Sequence, residues 1–289
     1  MTKPAERAEA ERAEAEQAEA ERLARLDVVR LRAHNAGPLT LSGSNTWVVG
    51  SDPAYLIDPG PAPADDAQHL ARLLALLERR GGLGGIALTH DHGDHGGGLA
   101  ALLERMPAPG SVPVAVGRPQ GIGEAHEVQL ADGVDFGPLR AVATPGHAPD
   151  HYAFVFGEAC FTGDAVLGEG SVFIAPHKGA LAGYLDGLSR LLGLPLQVLC
   201  PGHGPAVWAP HERLREYIEH RLERERMLRA GLDQGRRSVE ELLDAAWGEV
   251  PQHLRPLAAV TLATHLDKLA DEGLLPDGVE RPQIPPGLD

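Results

Sequence analysis

The sequence predicts a layered α/β domain, with sheets inside and helices outside, followed by a small helical domain. Short apolar segments of strand character outnumber helical ones, and the helices fall between groups of strands. From Pro210 onward the apolar residues recur only at helical spacing. A length of 289 residues accommodates one large domain or two ordinary ones. With 43% hydrophobic and 23% charged residues, a packed core is expected and global disorder is not.

Residues 1–26 stand apart. Pro4 to Arg25 is a low-complexity run of Ala, Glu and Arg, all strong helix formers. Glu21 precedes Arg25 by one helical turn, and no apolar stripe appears before Leu23 and Leu26. A solvated helix or disordered tail is expected. Residues 27–209 carry the strands. Leu41–Gly50 and Ala54–Asp58 read as two strands joined at Asp52-Pro53. A helix follows in which Leu70, Leu73, Leu74 and Leu77 share one buried face, and Gly81 to Gly85 end it. Ile86–Thr89 is a buried strand and Leu99–Arg105 a helix. Further strands are expected at Val112–Val116, Leu139–Thr144, Tyr152–Phe156, Ala159–Thr162 and Val198–Leu199, with a helix over Tyr184–Leu192.

Residues 210–289 read as a linker helix and a winged-helix-like domain. Leu214, Tyr217, Ile218 and Leu222 line one face of a long charged helix. Ser238 and Glu241 have capping-box spacing. A third helix covers Leu257–Glu272, and Leu274–Val279 offers a strand pair or wing. Acidic residues outnumber basic ones two to one between Arg236 and Asp289, which counts against duplex DNA as a partner.

Composition excludes other classes. No apolar run approaches the roughly 18 residues of a membrane span, so no membrane partner is expected. A net charge of −15 rules out a fold-wide basic field for nucleic acid. Cys160 and Cys200 alone cannot build a disulfide scaffold or a four-cysteine zinc site, and both read as buried small residues. Met1 to Leu26 has no apolar stretch of signal-peptide length, so a cytoplasmic location is expected.

The strongest chemical signal is the run His90-Asp91-His92-Gly93-Asp94-His95, followed by Gly96 to Gly98. Alternate residues of an extended segment point the same way, so His90 and His92 can face one metal. Asp94 and His95 lie past the strand, where a turn into a helix can swing them to a second. Three further Gly-containing turns follow strands: Thr144-Pro145-Gly146-His147, Phe161-Thr162-Gly163-Asp164 and Cys200-Pro201-Gly202-His203-Gly204. Each offers one potential ligand. Five imidazoles and two carboxylates suit zinc, with a carboxylate shared between two ions.

These residues resemble the metallo-β-lactamase superfamily of hydrolases over roughly residues 29–208. The resemblance implies an αβ/βα sandwich with its site at one edge and two divalent metal ions, Zn²⁺ before manganese or iron. It implies that His90, His92 and His147 hold the first ion, that Asp94, His95 and His203 hold the second, and that Asp164 bridges them. Asp58, in Leu56-Ile57-Asp58-Pro59-Gly60, matches an Asp that supports the site from behind. The antibiotic-hydrolysing branch most often has Cys where this chain has Asp164 and lacks His at the position of His95, so β-lactam hydrolysis is not the expected task. Gly163–Gly170, Pro201–Pro205, His220–Glu225 and Leu262–Leu269 resemble, more narrowly, the beta-lactamase-like protein 2 group, which carries a winged-helix domain after the hydrolase domain.

The reaction expected is hydrolysis by a hydroxide that two metals activate at neutral pH. Asp94 is the candidate to orient that nucleophile and handle its proton while holding a metal. The resemblance leaves the substrate open between a single-stranded RNA phosphodiester and a small acyl thioester or ester, as for glyoxalase II or polyketide-releasing enzymes. An RNA strand would need basic side chains, and Arg221, Arg224, Arg226, Arg236 and Arg237 are the candidates, with Glu interleaved among the first three. His151 is a candidate substrate or leaving-group contact, and His177 and Lys178 sit in a loop that could border the cleft. Two other classes compete: a non-catalytic assembly protein with a structural metal, and a di-iron redox protein. The intact set of seven ligand positions argues against the first, and the absence of a flavin or iron–sulfur segment against the second. A homo-oligomer stays open.

Overall fold

A computed structural model of the chain describes residues 4–106, 109–119, 121 and 126–284. Two sheets form its centre. The first has six strands in the order β1-β2-β3-β4-β5-β6: Val28–Arg32, Asn45–Val49, Ala54–Ile57, Leu83–Ala87, Pro113–Val116 and His126–Gln129. The second has the order β11-β10-β9-β8-β7: Val198–Pro201, Ala159–Gly163, Tyr152–Phe156, Leu139–Ala143 and Asp135–Phe136. In the first sheet β3, β4, β5 and β6 run parallel, with Leu56 opposite Ile86 and Ile57 opposite Ala87. In the second, β10 and β11 are parallel, with Cys160 opposite Leu199.

Strand alternation sorts the side chains into layers. Ile57, Ala87 and Ala115 point inward and join Trp47, Phe154 and Phe161 in one core between the sheets. The Trp47 and Phe161 rings meet there at 5.8 Å. Their sequence neighbours Leu56, Ile86 and Val114 point outward onto α2 (Ala67–Arg79) and α4 (Leu99–Leu103). The outer face of the second sheet is covered by α5 (Ala180–Leu192) and α6 (Pro210–Asp233). The result is a helix–sheet–sheet–helix sandwich, the fold class the sequence predicts.

The C-terminal helices α7 (Val239–Trp247) and α8 (Arg255–Asp271) close a separate core with the end of α6, built on Leu228, Leu242, Trp247, Leu262 and Leu266. The capping box is present, with Glu241 N donating to Ser238 Oγ and Ser238 N to Glu241 Oε2. The suggested wing is a correction: described residues 274–284 form no strand. Pro276 and Pro282 lack the N–H a ladder needs. The segment instead packs Leu275 and Val279 into the helical core and ties back through Glu280 N to Arg237 O.

The low-complexity segment forms a helix, α1 (Pro4–Ala24), and its last turns are docked rather than free. Leu23 is buried in the inter-sheet core, worth about 2 kcal/mol of apolar burial. Glu19 pairs with Arg30 at 2.7 Å and accepts from Ala206 N at 3.0 Å, while the Arg22 guanidinium lies 3.7 Å over the Trp208 ring. No helix among the described residues is long and apolar enough to cross a membrane.

Candidate metal centre

The site lies where the carboxyl ends of β4, β10 and β11 meet the turn after β8. Two backbone bonds stitch the sheets together at that edge, Asn45 N to Gly202 O at 2.7 Å and Tyr152 N to Thr89 O at 2.8 Å. Past β4, His92 caps a single helical turn, α3 (Gly93–Gly96), which swings Asp94 and His95 away from His90. Gly98 lets this turn pack onto the loop after β3, since a Cβ there would stand 3.0 Å from the carbonyl oxygens of Pro59 and Pro61. Asp91 alone of the run turns aside, to Arg118.

The seven predicted residues converge on two points. At the first, His90 Nε2 is 2.9 Å from His92 Nδ1, which is 3.1 Å from His147 Nε2. At the second, His203 Nε2 is 3.3 Å from His95 Nε2 and 3.2 Å from Asp94 Oδ2. Asp164 lies between, with Oδ1 3.4 Å from His95 Nε2, and Oδ2 3.3 Å from His203 Nε2 and 3.7 Å from His147 Nε2. The groups His90–His92–His147, His90–His95–Asp164 and Asp94–His95–His203 each bring their donor atoms within metal-holding range.

This donor set fits a divalent ion. A tetrahedral metal with bonds of about 2.0–2.1 Å spaces its ligand atoms about 3.3 Å apart. The outward nitrogen of four rings sits on an oxygen. His95 Nδ1 donates to Asp58 Oδ2 at 2.8 Å, His90 Nδ1 to Thr89 Oγ1 at 3.0 Å, His147 Nδ1 to Phe173 O at 3.2 Å and His203 Nδ1 to Gly43 O at 3.5 Å. With its outward nitrogen so held, each ring can present the inward nitrogen's lone pair once a cation displaces any proton there, the tautomer a metal ligand requires. Among the described residues, the buried Asp164 Oδ1 has no hydrogen-bond donor, His95 Nε2 approaching it only to 3.4 Å.

The electrostatics agree. Burial opposes charging His95 and His203, but the Asp164 carboxylate outweighs it, helped by Asp58 at His95 and Asp94 at His203. His95 stands well above the ordinary histidine range and His203 is raised to about 9. Burial and the neighbouring rings of His95 and His151 push His90 well below it. Burial opposes charge on Asp164 as well, yet His95 and His203 hold its carboxyl well below the usual range. The second cluster is thus short of positive charge, which protons or a cation can supply.

Other sequence candidates fare differently. Asp58 backs His95 while accepting Thr89 N at 2.8 Å and Thr89 Oγ1 at 2.7 Å. His151 is corrected as a substrate contact. Its ring is buried between Thr144 Oγ1 at 2.8 Å and the Asp164 N–H at 3.1 Å, so both nitrogens are spent on holding the Asp164 turn. His177 is half-buried against Gly146 O, and Lys178 is exposed. Cys160 and Cys200 are buried free thiols away from the donor clusters. Sequence reasoning missed Ser44, whose Oγ donates to Asp94 Oδ2 at 3.0 Å, and the carbonyls of Gly43 and Phe173. Ser44 lies 50 residues from its partner, and backbone acceptors leave no side-chain signature.

The sandwich and this cluster define a metal-site hydrolase class. The chain belongs to the metallo-beta-lactamase superfamily, whose family model matches residues 39–203. A second model, the beta-lactamase associated winged helix domain, matches residues 238–276. The chain is 31% identical to a beta-lactamase-like protein 2 homolog of Caenorhabditis elegans, over 86% of this chain and 85% of that one. It is 33% identical to an atrochrysone carboxyl ACP thioesterase of Aspergillus chevalieri, over 78% and 74%. Among solved structures, a beta-lactamase domain protein from Burkholderia ambifaria superposes with a TM-score of 0.70 at 20% identity, over 88% of this chain and 90% of that one, a likeness of fold. The protein is a hydrolase of this superfamily, and its His/Asp clusters are able to hold divalent metal.

Proposed function

We propose that this hydrolase uses two zinc ions to cleave a small acyl thioester or ester. The convergence of seven donors on two points that share Asp164 carries the reading of a dinuclear site. His90, His92 and His147 would hold one ion and Asp94, His95 and His203 the other, with Asp164 placed between the two groups. When bound, the pair lowers the pKa of water toward neutrality and draws charge from the attacked carbonyl.

The chain's own residues do the rest. Asp94 Oδ2 accepts from Ser44 Oγ at 3.0 Å and lies 3.2 Å from His203 Nε2, on the side where the second ion would sit. This leaves Oδ1 to take the proton that the attacking water loses. Asp94 is part-exposed, as a group facing substrate must be. His92 is the one exposed member of the first group of donors. Water adds to the carbonyl carbon, the carbon–sulfur bond breaks, and the thiolate leaves with the proton that Asp94 held.

An acyl substrate is favoured over RNA because the chain engages the basic side chains that a strand would need. Arg221 is buried and donates to Val172 O. Arg224 pairs with Glu249, and Arg226 with Glu223. Arg236 donates to Glu241 O and Arg237 to Leu232 O. The similarity to a thioesterase points the same way. The test is thiol release from an acyl N-acetylcysteamine thioester by zinc-loaded protein, beside cleavage of an end-labelled single-stranded RNA. Thiol release that falls at least about 100-fold in Asp94→Ala supports the proposal. RNA cleavage without thiol release would overturn the acyl assignment.

A further inference from the structure

The loop after β10 passes between the metal centre and the C-terminal helices, and three consecutive carbonyls on it are each taken by a different part of the chain. Arg221 of α6 donates to Val172 O. His147 Nδ1 donates to Phe173 O at 3.2 Å. Thr264 Oγ1 of α8 donates to Ile174 O at 2.8 Å, nearer than its alternative acceptor Val260 O at 3.2 Å. The segment is therefore held at residues 172 and 174 by the C-terminal helices and presents residue 173 to the site.

The anchors of this strap are buried, while Phe173 is half-buried. Arg221 is 2% exposed, Thr264 2% and Ile174 0%. Arg221 also donates to Ser171 Oγ at 3.1 Å. Tyr217 of α6 donates to Gly170 O at 3.0 Å and accepts from Leu167 N at 3.1 Å. The Phe173 ring lies edge-on to the His147 ring at 5.3 Å, so the same residue fixes the imidazole by its carbonyl and by its side chain.

We infer that the C-terminal helices act on the metal centre: Arg221 and Thr264 are positioning residues that hold Phe173 so that its carbonyl sets the tautomer and tilt of His147. The inference rests on His147 being a ligand of the first ion. It gives the C-terminal region a task that needs no nucleic acid. A ligand whose outward nitrogen loses its acceptor binds metal about 10–100-fold more weakly. Loosening one of the two anchors is expected to fall at the lower end of that range.

The experiment is zinc competition with a chromogenic chelator, on full-length wild type, Thr264→Val, Thr264→Ser and His147→Ala. Thr264→Val keeps the shape and loses the donor. It should weaken one ion about tenfold, leave the other unchanged and broaden the visible spectrum of the cobalt-loaded protein. Thr264→Ser restores the donor and should return both readouts to wild type, which a purely structural role would not require. Should Thr264→Val not fold, Thr264→Ala, which cannot crowd the carbonyl, takes its place. Wild-type affinity for both ions in the donor-deleted variant, with one ion lost in His147→Ala, would overturn the inference and leave the site reading intact. Two tightly held ions in His147→Ala would instead overturn the site reading itself.

Discussion

Asp58→Asn offers a sharp probe of how the second cluster is built. Asp58 sits at φ 53°, in the left-handed region, which Asn tolerates and Ala does not. The replacement therefore changes chemistry with little change in backbone. In the wild type one carboxylate accepts three donors: Thr89 N at 2.8 Å, Thr89 Oγ1 at 2.7 Å and His95 Nδ1 at 2.8 Å. If the Asn oxygen keeps Thr89 N, its amide NH₂ faces His95, donor against donor. His95 then turns its proton to Nε2, the nitrogen aimed at Asp164 and His203, and can no longer bind metal there. Loss of one buried charge-assisted hydrogen bond amounts to about 1.5–3 kcal/mol, or about 10–150-fold in affinity at about 1.4 kcal/mol per decade. The expected outcome is a protein that holds its first ion normally and its second at least about tenfold more weakly, measured by zinc competition with a chelator. Equal affinity for both ions in Asp58→Asn and wild type would refute the account of His95 as a ligand set from behind by Asp58.

Two further predictions follow from burial and close approach. A Cβ on Gly202 would stand 2.5 Å from both Asp164 Oδ1 and His95 Cε1. Gly202→Ala should destabilise the protein by about 1–3 kcal/mol and lower its zinc content in metal analysis; full occupancy with an unchanged melting point would contradict this. His265 is fully buried with neither ring nitrogen hydrogen-bonded among the described residues, and burial, with Arg221 and Lys268 adding to it, depresses its pKa to about 3. The unfolded chain protonates this ring near 6.5, so the stability it confers is present above that value and declines as pH falls toward 3, by about 2 kcal/mol at pH 5. Urea unfolding at pH 7 and pH 5 should show His265→Leu losing less stability on acidification than wild type; equal losses would place the sensitivity elsewhere.

Parts of this molecule were legible in the sequence because the signals were local. The run from His90 to His95 puts four candidate ligands into one turn, and Leu73 and Leu77 announce the buried face of α2 by spacing alone. What was not legible depends on distant partners. Strand β1 carries Arg30 and Arg32, whose charges hide its alternation until Glu19 and Glu16 are seen to pair with them. Strands β6 and β7 are edge strands of four and two residues, too short for a period to show. The docking of α1 turns on Leu23 and Leu26 at the end of a polar run. His151 faces the core rather than the cleft because Thr144 and the Asp164 N–H claim it, a choice made by strands that meet only in three dimensions.

The position of α1 bears on the solubility of the whole protein. Its last turns lie against β1, the outermost strand of the first sheet, with Glu16 and Glu19 pinned to arginines of that strand. A bare outer strand offers unpaired N–H and C=O groups to any other chain that comes near. Stripped of α1, this one would also uncover the apolar socket of Leu23. The most polar and repetitive stretch of the sequence thus lies along one edge of the sandwich, in the place where another chain's strand would have to approach β1.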